Sequence, residues 1–594
     1  MSTSTVGART VPAQAPGCEG PARLGAPRPA AAALAHQLRC TVTFAEHLLR
    51  RGLTGDDATQ RFLAPRLSHL TAPDEMADRR VAAERLALAI RHGEVVCVFG
   101  DYDCDGMTAT AIVTEAVRAL GGKAEPVLAS RFDGGYGLGR AALARVLEKA
   151  PGLVVTCDCG SSDHESLATL AERGIDAVVI DHHLVPEHPL PALAFLNPHR
   201  HECGFPFKGL ASCGLALSLV AAVRRELGRE LDLKRWLDLV AVGTIADVAP
   251  LDGDNRALVR AGLSELGRTR RPGFAALFEL AKLRRSAPFT SEDIAFRLAP
   301  RLNAPGRLGA PDLALKLIME QSPERAAGMA ATVEQLCRDR RAQQDEILSA
   351  AVEEIEGDAP GSRAAFVLGS RDWNPGVVGI VAGRLAERYQ RPVAVVGFRG
   401  DVGHGSVRGP AGFKLHDALS ACSEALVRFG GHQAAAGFEA HIDRLPALKE
   451  LFDAACRQTV VRPSPDAAAR AEPLPLFRDD DPRDVLRDFY RLEPCGEKNP
   501  KPALGVQARV RLARQVKGGH LKLELELENG RTLSGFAPGM GEKASDLTES
   551  VLAIGTLRPD HFRGGDAAEL HVERIEPGAH RPEPAAVLAT GSDG

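Results

Sequence analysis

No pair among the 12 cysteines has the C-x-x-C spacing, and their scatter gives no disulfide framework. That argues against a stapled secreted scaffold and against a structural zinc site, and it suggests a reducing cytosol. No stretch approaches the roughly 20 apolar residues that cross a bilayer. The opening "MSTSTVGARTVPAQAPGCEGPARLGAPRPAAAALAHQ" lacks a basic-then-apolar leader, and its Ala, Pro and Gly content reads as a disordered tail over residues 1–40. A cytoplasmic protein with no membrane attachment is expected. An excess of positive charge is missing too, the formal net charge being −4. This removes an overall basic signature for a nucleic-acid partner, although a local groove can be basic on an acidic protein. No internal repeat is visible, which sets repeat architectures aside.

What is present is ordinary globular composition, 44% hydrophobic over 594 residues, enough for about three or four domains. Within it, "VCVFGDYDCDGMTATAIV" (96–113) sets Asp101, Asp103 and Asp105 two apart. Carboxylates this crowded raise one another's pKa unless positive charge sits among them. The apolar run Val95–Phe99 reads as a buried strand, Gly106 as a break and Thr108 to Leu120 as a helix, placing the acids where open α/β sheets bind ligands. An acidic capped turn and a divalent-metal site both fit this segment alone.

The rest of the chain favours the metal. From about 80 to 260 helical and strand-like segments alternate, the mark of a parallel sheet faced by helices. "GLVVTCDCG" and "IDAVVIDHH" run apolar into Asp158 and Asp181, so three strands finish in aspartate. Asp247 follows another apolar stretch, in "LDLVAVGTIADVAPL". After Asp181 come His182 and His183, and imidazole with carboxylate suits Mn²⁺, and Mg²⁺ less well. Residues 310–357 read as a helical connector with Ser322-Pro323 as a start signal. A second α/β block covers about 361–460, a Pro/Ala-rich linker 461–478, and an all-β module 479–577 whose "HLKLELELENGRTLSGF" alternates strictly around the hairpin dipeptide Asn529-Gly530. Residues 578–594 read as disordered.

With "GDYDCDG", "DCG", "DHH" and "GTIADV" in this order, the chain resembles the DHH phosphoesterases. "SRFDGGYGLG", "RLNAPGRLG", "WNPGVVGIVAGRLAERY", "GSVRG" and "FGGHQAAAGF" narrow the resemblance to the RecJ family of single-strand-specific 5′→3′ exonucleases. The resemblance implies an α/β fold with a parallel-sheet DHH domain (41–260), a helical connector with a basic segment (261–360), a DHH-associated domain (361–460) and an oligonucleotide-binding β-barrel (479–577). It also implies two Mn²⁺ or Mg²⁺ ions, roughly 3.5–4 Å apart as in other two-metal sites, which activate the attacking water and stabilise the leaving oxygen. Asp103 and Asp105 would be paired ligands with Asp101 supporting them, Asp158 would bridge, and His182 and Asp247 would complete the set. His183 would bind the scissile phosphate or orient a ligand, and Asp181 would stand behind the histidines.

For the strand, the resemblance points to Arg131, Tyr136, Arg301, Asn303 and Arg307. Ser406, Arg408, Gly430, Gly431 and His432 would form a pocket for the 5′ phosphate. Arg268, Arg270, Arg271, Lys282, Arg284, Arg285 and Arg297 read as a basic patch for a polyanion. Phe536 and Phe562 are the visible aromatics of the barrel. The expected partners are single-stranded DNA, a single-strand-binding protein and a RecQ-type helicase, the chain itself acting as a monomer in recombination and repair. Ser161-Ser162, Gly409 and Glu497-Lys498 depart from the family pattern, and none of these replaces a proposed ligand. A DHH phosphodiesterase for cyclic dinucleotides or very short oligonucleotides, and a catalytically inactive scaffold, are the alternatives. The predicted barrel argues against the first and the intact acids against the second.

Overall fold

The apolar run Val95–Gly100 forms β1, the second strand of a five-stranded sheet. A computed structural model describes residues 26–132, 135–357, 361, 363–431, 435–458, 472–560, 565 and 567–578. In it β2 (Lys123–Leu128), β3 (Leu153–Cys157), β4 (Asp176–Ile180) and β5 (Ala194–Leu196) join β1 in the order β2-β1-β3-β4-β5, every pair parallel. Both faces are covered, so β3 is buried at all five positions and its sequence runs apolar instead of alternating. In this order the chain leaves β1 toward opposite sides, and the crevice beyond the carboxyl ends of β1 and β3 is where such sheets bind ligands. The Asp101–Asp105 segment and Asp158 follow those two ends directly.

The helix after β1 starts at Cys104, earlier than the expected Thr108, and runs to Ala119. Asp103 explains the shift: its carboxylate accepts from the amides of Asp105 and Gly106 and caps the helix. Gly106 therefore lies inside the first turn and breaks nothing. A Cβ there would sit 2.7 Å from the Asp101 backbone, so the residue must be small. The stretch before Asp247 is a helix, Leu237–Ala246, buried at all but its last residue. Its Gly243 packs against the first helix so closely that a Cβ would lie 2.9 Å from Asp105 Oδ1, which brings Asp247 into the same corner.

The connector contains the helices Pro311–Met319 and Pro323–Gly357, the second opening at the predicted Ser322-Pro323 signal. The second α/β block has strands β6 (Phe366–Ser370), β7 (Val393–Arg399), β8 (Val402–Arg408), β9 (Arg428–Gly431) and β10 (Ala435–His441) in the mixed order β6-β7-β8-β10-β9. Residues 65–470 with 493–500 make one compact unit.

The other unit holds the barrel. Strands β11 (Leu474–Pro475), β12 (Leu504–Val516), β13 (His520–Leu527), β14 (Thr532–Ala537), β15 (Ser550–Pro559) and β16 (Ala568–Pro577) run in the order β11-β12-β13-β14-β16-β15. Pairing of β12 with β15 closes the ring and removes its edges. The Asn529-Gly530 turn joins β13 to β14 as expected, with Gly530 at φ +79°. The N-terminal boundary is corrected here. Pro29–Leu38 is a helix inside the expected 1–40 tail, and the helices up to Leu63 belong to the barrel unit, not to the first α/β domain. The reason is polar docking: Thr41 donates its amide and hydroxyl to Asp488 at 2.7 and 2.9 Å, and the Thr43 amide donates to Asp480 at 2.7 Å. The expected disordered stretches fall largely outside the described residues, namely 1–25, 461–471 and 579–594.

Candidate metal centre and phosphate cluster

Three strand ends and one helix end deliver the acids to one corner of the first sheet. The oxygens of Asp105 and Asp247 and a ring nitrogen of His182 lie within 4.8 Å of one another, and so do oxygens of Asp101, Asp103 and Asp158. These two groups share no residue. His182 links them: its Nε2 is 3.2 Å from Asp158 Oδ1, 3.7 Å from Asp247 Oδ2 and 3.9 Å from Asp105 Oδ2. Asp101, expected only to support the ligands, thus has an oxygen placed among them.

Backbone geometry fixes each donor. Asp158 sits at φ +63°, a left-handed conformation costly for a non-glycine residue, and its Oδ1 accepts the Ser212 hydroxyl at 3.0 Å. Both Asp105 oxygens accept amides at the start of the helix Ser212–Leu227, from Ser212 at 2.7 Å and Cys213 at 2.9 Å. A helix N-terminus favours a negative charge there. Ser212 was not anticipated in the sequence; its signal is a hydroxyl at the head of an apolar run, aimed back at a buried acid.

The electrostatics ask for cations. Burial, then the charges of Asp105, Asp103 and Asp101, hold the Asp158 carboxyl well above its ordinary range. Burial and Asp103 do the same to Asp101, and burial with Asp105 and Asp103 pushes Asp247 up to about 9. Burial lowers His182, keeping its imidazole neutral, and its buried Nε2 has no hydrogen-bond partner among the described residues. An orphaned imidazole lone pair facing three carboxylates is a donor set that fits Mn²⁺, and the second group of three carboxylates fits Mn²⁺ or Mg²⁺. Asp103, Asp105, Asp158, His182 and Asp247 therefore meet as expected.

His183 differs from its neighbour. Burial opposes its charge, but Nδ1 lies 2.7 Å from Asp181 Oδ1, and this bond with the Asp181 charge pushes the imidazole up to about 9. Burial would raise Asp181, yet the same hydrogen bond, with the amides of His182, His183 and Ser161, holds it low. Ring nitrogens of His182 and His183 and an oxygen of Asp158 also lie within 4.8 Å of one another, so His183 could serve a metal when neutral and an anion when charged. The Tyr136 hydroxyl joins it, 3.1 Å from His183 Nδ1 and donating to the Asp158 carbonyl at 3.0 Å.

In the same unit lies a cluster of arginines with no carboxylate paired to them among the described residues. Arg131 stacks 4.3 Å over the Tyr102 ring and leaves Nε without a partner. Arg307 donates to the Gly376 carbonyl at 3.1 Å, and burial with the charges of Arg131 and Arg340 lowers its affinity for its proton. Burial and Arg131 act likewise on Arg408, while the buried Oδ1 of Asn303 lacks a partner among the described residues. Cations held together in this way call for an anion, and guanidinium groups match phosphate best. Arg340 was missed in the sequence because charges on a long helix read as a solvated face. Its signal is spacing: Val333, Cys337, Arg340, Gln344, Ile347 and Ala351 form one buried stripe, interrupted by two polar residues.

Other expected contacts are not assembled. Arg301 is spent on Glu334, at 2.6 Å, and on the Arg297 carbonyl. In the predicted basic patch, Arg271 is buried between Glu115 and Asp238, Arg297 pairs with Asp293, and Arg285 serves the carbonyls of Gly267 and Thr269. Only Arg268, Arg270, Lys282, Arg284 and Arg285 of that patch are exposed. Ser406 is the exception, since a Cβ on Gly379 would lie 2.9 Å from its hydroxyl and 3.7 Å from Arg408 Nη2, while Gly430 and Gly431 end β9. His432 and Phe562 lie outside the described residues. On the barrel, Phe536 stands between His520 and His571, with ring centroids 5.3 and 6.0 Å away, a row of rings across three strands.

Comparison with known proteins agrees with this division. The DHH family N-terminal domain matches residues 95–244, the DHHA1 domain 362–458 and the RecJ OB domain 479–574. The single-stranded-DNA-specific exonuclease RecJ of Dickeya dadantii is 34% identical over 530 residues, covering 84% of this chain and 90% of that protein. The Bacillus subtilis enzyme of the same name is 34% identical over 482 residues, covering 80% of this chain but 60% of its own length. The crystal structure of RecJ with Mn²⁺ from Thermus thermophilus superposes with a TM-score of 0.77 at 30% identity, covering 93% of this chain and 78% of that one. The Mg²⁺ complex from the same organism gives 0.70 at 28% identity, covering 93% and 77%. With these three domains in order and a relative 34% identical over 90% of its length, the chain belongs to the RecJ family.

Proposed function

We propose that the chain is a metal-dependent exonuclease that degrades single-stranded DNA from the 5′ end to 5′-mononucleotides. The observation that carries this is the pairing, in one compact unit, of an acid cluster that needs cations with an arginine cluster that needs an anion. Asp103, Asp105, Asp158, His182, Asp247 and Asp101 would hold two Mn²⁺ or Mg²⁺ ions. When bound, such ions supply an activated water and charge stabilisation for the leaving oxygen. Asp181 keeps His183 cationic and oriented toward an anion, the role a scissile phosphate would fill. Arg131, Arg307 and Arg408, with Ser406, Gly430 and Gly431, would grip the terminal 5′ phosphate, Arg340 reinforcing them. A strand held there by its end would meet the acids one nucleotide inward and lose a 5′-mononucleotide. The barrel would carry the rest of the strand, with Phe536 as a base platform. A nuclease confined to single strands depends on proteins that supply and present them, and a RecQ-type helicase and a single-strand-binding protein meet that need for a monomeric cytoplasmic enzyme.

The test gives purified protein single strands labelled at either end, with Mn²⁺ or Mg²⁺. The 5′ label should leave as mononucleotide from the earliest time point while the 3′ label passes through a ladder of shortening strands. The reverse pattern would overturn the polarity, and internal cuts would overturn the exonuclease.

A further inference from the structure

Eleven large apolar side chains are exposed among the described residues, and their distribution is uneven. Leu184, 69% exposed, and Val185 follow the Asp181-His182-His183 segment, and Val248, 65% exposed, follows Asp247. A fourth, Tyr136, touches His183. Their neighbours in sequence meet, His182 Nε2 lying 3.7 Å from Asp247 Oδ2, so the exposure gathers at the acid cluster, and gathered apolar exposure marks an interaction surface.

Val248 carries a second, independent signal. The helix Leu237–Ala246 ends in a Schellman arrangement: the Val248 amide donates to the Ile245 carbonyl and the Ala249 amide to the Thr244 carbonyl, both at 3.2 Å. That geometry puts the residue after the cap in the left-handed region, and Val248 has φ +60°. Glycine is the usual occupant, and a β-branched side chain is the least suited. No burial offsets the strain, because the side chain lies in solvent. The residue therefore does nothing for folding that glycine would not do better, and it stands beside a metal-ligand candidate.

We infer that Leu184 and Val248 form an apolar lip on the two sides of the His182–Asp247 pair, and that the lip takes the sugar and base faces of the DNA nucleotide beside the scissile phosphate. It rests on the exonuclease reading above and adds to it the groups that seat the nucleotide. The chemistry fits a single strand: sugar carbons and base faces are apolar and common to every sequence, so the contact adds affinity without sequence preference. In a duplex the base faces are stacked away, so the lip also favours an unpaired end.

The test compares wild-type protein with Val248→Gly and Leu184→Gln, and with Leu88→Ser as a remote surface control. Binding of a fluorescent single-stranded oligonucleotide, steady-state cleavage with Mn²⁺, and the melting temperature with and without Mn²⁺ are measured for each. Loss of one partly buried apolar contact predicts Kd and KM rising on the order of fivefold per variant, with kcat within about twofold. Val248→Gly should melt no lower than wild type, since it releases backbone strain, and both variants should keep the rise in melting temperature with Mn²⁺. Unchanged Kd and KM in both variants would overturn the lip, as would a melting temperature for Val248→Gly reduced as far as by a core truncation. If wild-type protein binds the strand but leaves it uncut, the exonuclease reading fails, and the Kd comparison still decides the lip.

Discussion

His182 Nε2 stands 3.2 Å from Asp158 Oδ1, with neither a hydrogen-bond partner for the nitrogen among the described residues nor ordinary acidity for the carboxyl. A cation between them would satisfy both groups, so Asp158→Ala should abolish cleavage while leaving the fold intact. Less than a tenth of the wild-type rate at saturating Mn²⁺ is expected, and a higher residual rate would sink the bridging role. His182→Ala should lose activity that excess Mn²⁺ partly restores, whereas His92→Ala should change little. Mn²⁺ should raise the wild-type melting temperature, and Asp158→Ala should remove most of that rise.

Arg408 belongs to the cluster without carboxylates, and its contribution should be confined to the 5′ phosphate. A charge-assisted contact worth roughly 1.5–3 kcal/mol corresponds to about a 10- to 150-fold change in preference. Arg408→Ala should lose most of the preference for 5′-phosphorylated over 5′-hydroxyl strands. Equal slowing of both substrates would show that Arg408 lies elsewhere than the pocket.

Arg301 should behave differently, although it is in the same motif as Arg307. Its partner is Glu334 at 2.6 Å, with both side chains largely buried. Breaking a buried pair by removing one member costs about 3–5 kcal/mol. Arg301→Ala should therefore lower the melting temperature and leave the phosphate preference alone, and Arg301→Met with Glu334→Leu should recover stability. A changed phosphate preference at unchanged stability would restore Arg301 to the DNA contacts.

Phe536 gives a cleaner probe of the barrel than truncation would. Deleting the chain beyond 470 would strip Thr41 and Thr43 of Asp488 and Asp480 and leave the N-terminal helices without their support. Phe536→Ala removes only the middle ring of a row. Loss of one base stack, about 1–3 kcal/mol, predicts KM for long strands rising much more than kcat falls. Identical KM values for long and very short strands in wild type and variant would exclude the platform.

The acids were legible because each ends an apolar segment, and burial on both sheet faces forces that pattern on the sequence. The barrel hairpin was equally open, since the Asn529-Gly530 turn needs the positive φ that glycine supplies. Ownership of the arginines was not legible. Arg301 and Arg307 are six residues apart in one motif, yet one pairs with Glu334 from a helix further along the chain and the other makes no ion pair among the described residues. Long-range partners decide whether a cation is spent or available, and no local spacing records them. The same holds for residues 29–63, whose attachment to the barrel depends on two aspartates more than 400 residues away.

His47 makes the acid stability of that attachment testable. It lies on the helix Val42–Arg50 beside Phe489, ring centroids 6.3 Å apart, with its buried Nε2 unpartnered among the described residues. Burial, then the charges of Arg51 and Arg50, push its imidazole down to about 3. An unfolded histidine titrates near 6.5. Because the folded value is the lower, the unfolded state takes up the proton first as pH falls, and stability is lost between about pH 6.5 and pH 3. At pH 5 the loss from this group is about 2 kcal/mol, the 1.5 units below 6.5 at 1.36 kcal/mol each. His47→Gln removes the titration, so its barrel unit should lose less stability between pH 7 and pH 5 than wild type by about that amount. Amide hydrogen exchange over residues 42–50 localises the opening to this helix. Equal losses in wild type and variant over that range would mean that His47 is solvated and titrates normally in the folded protein.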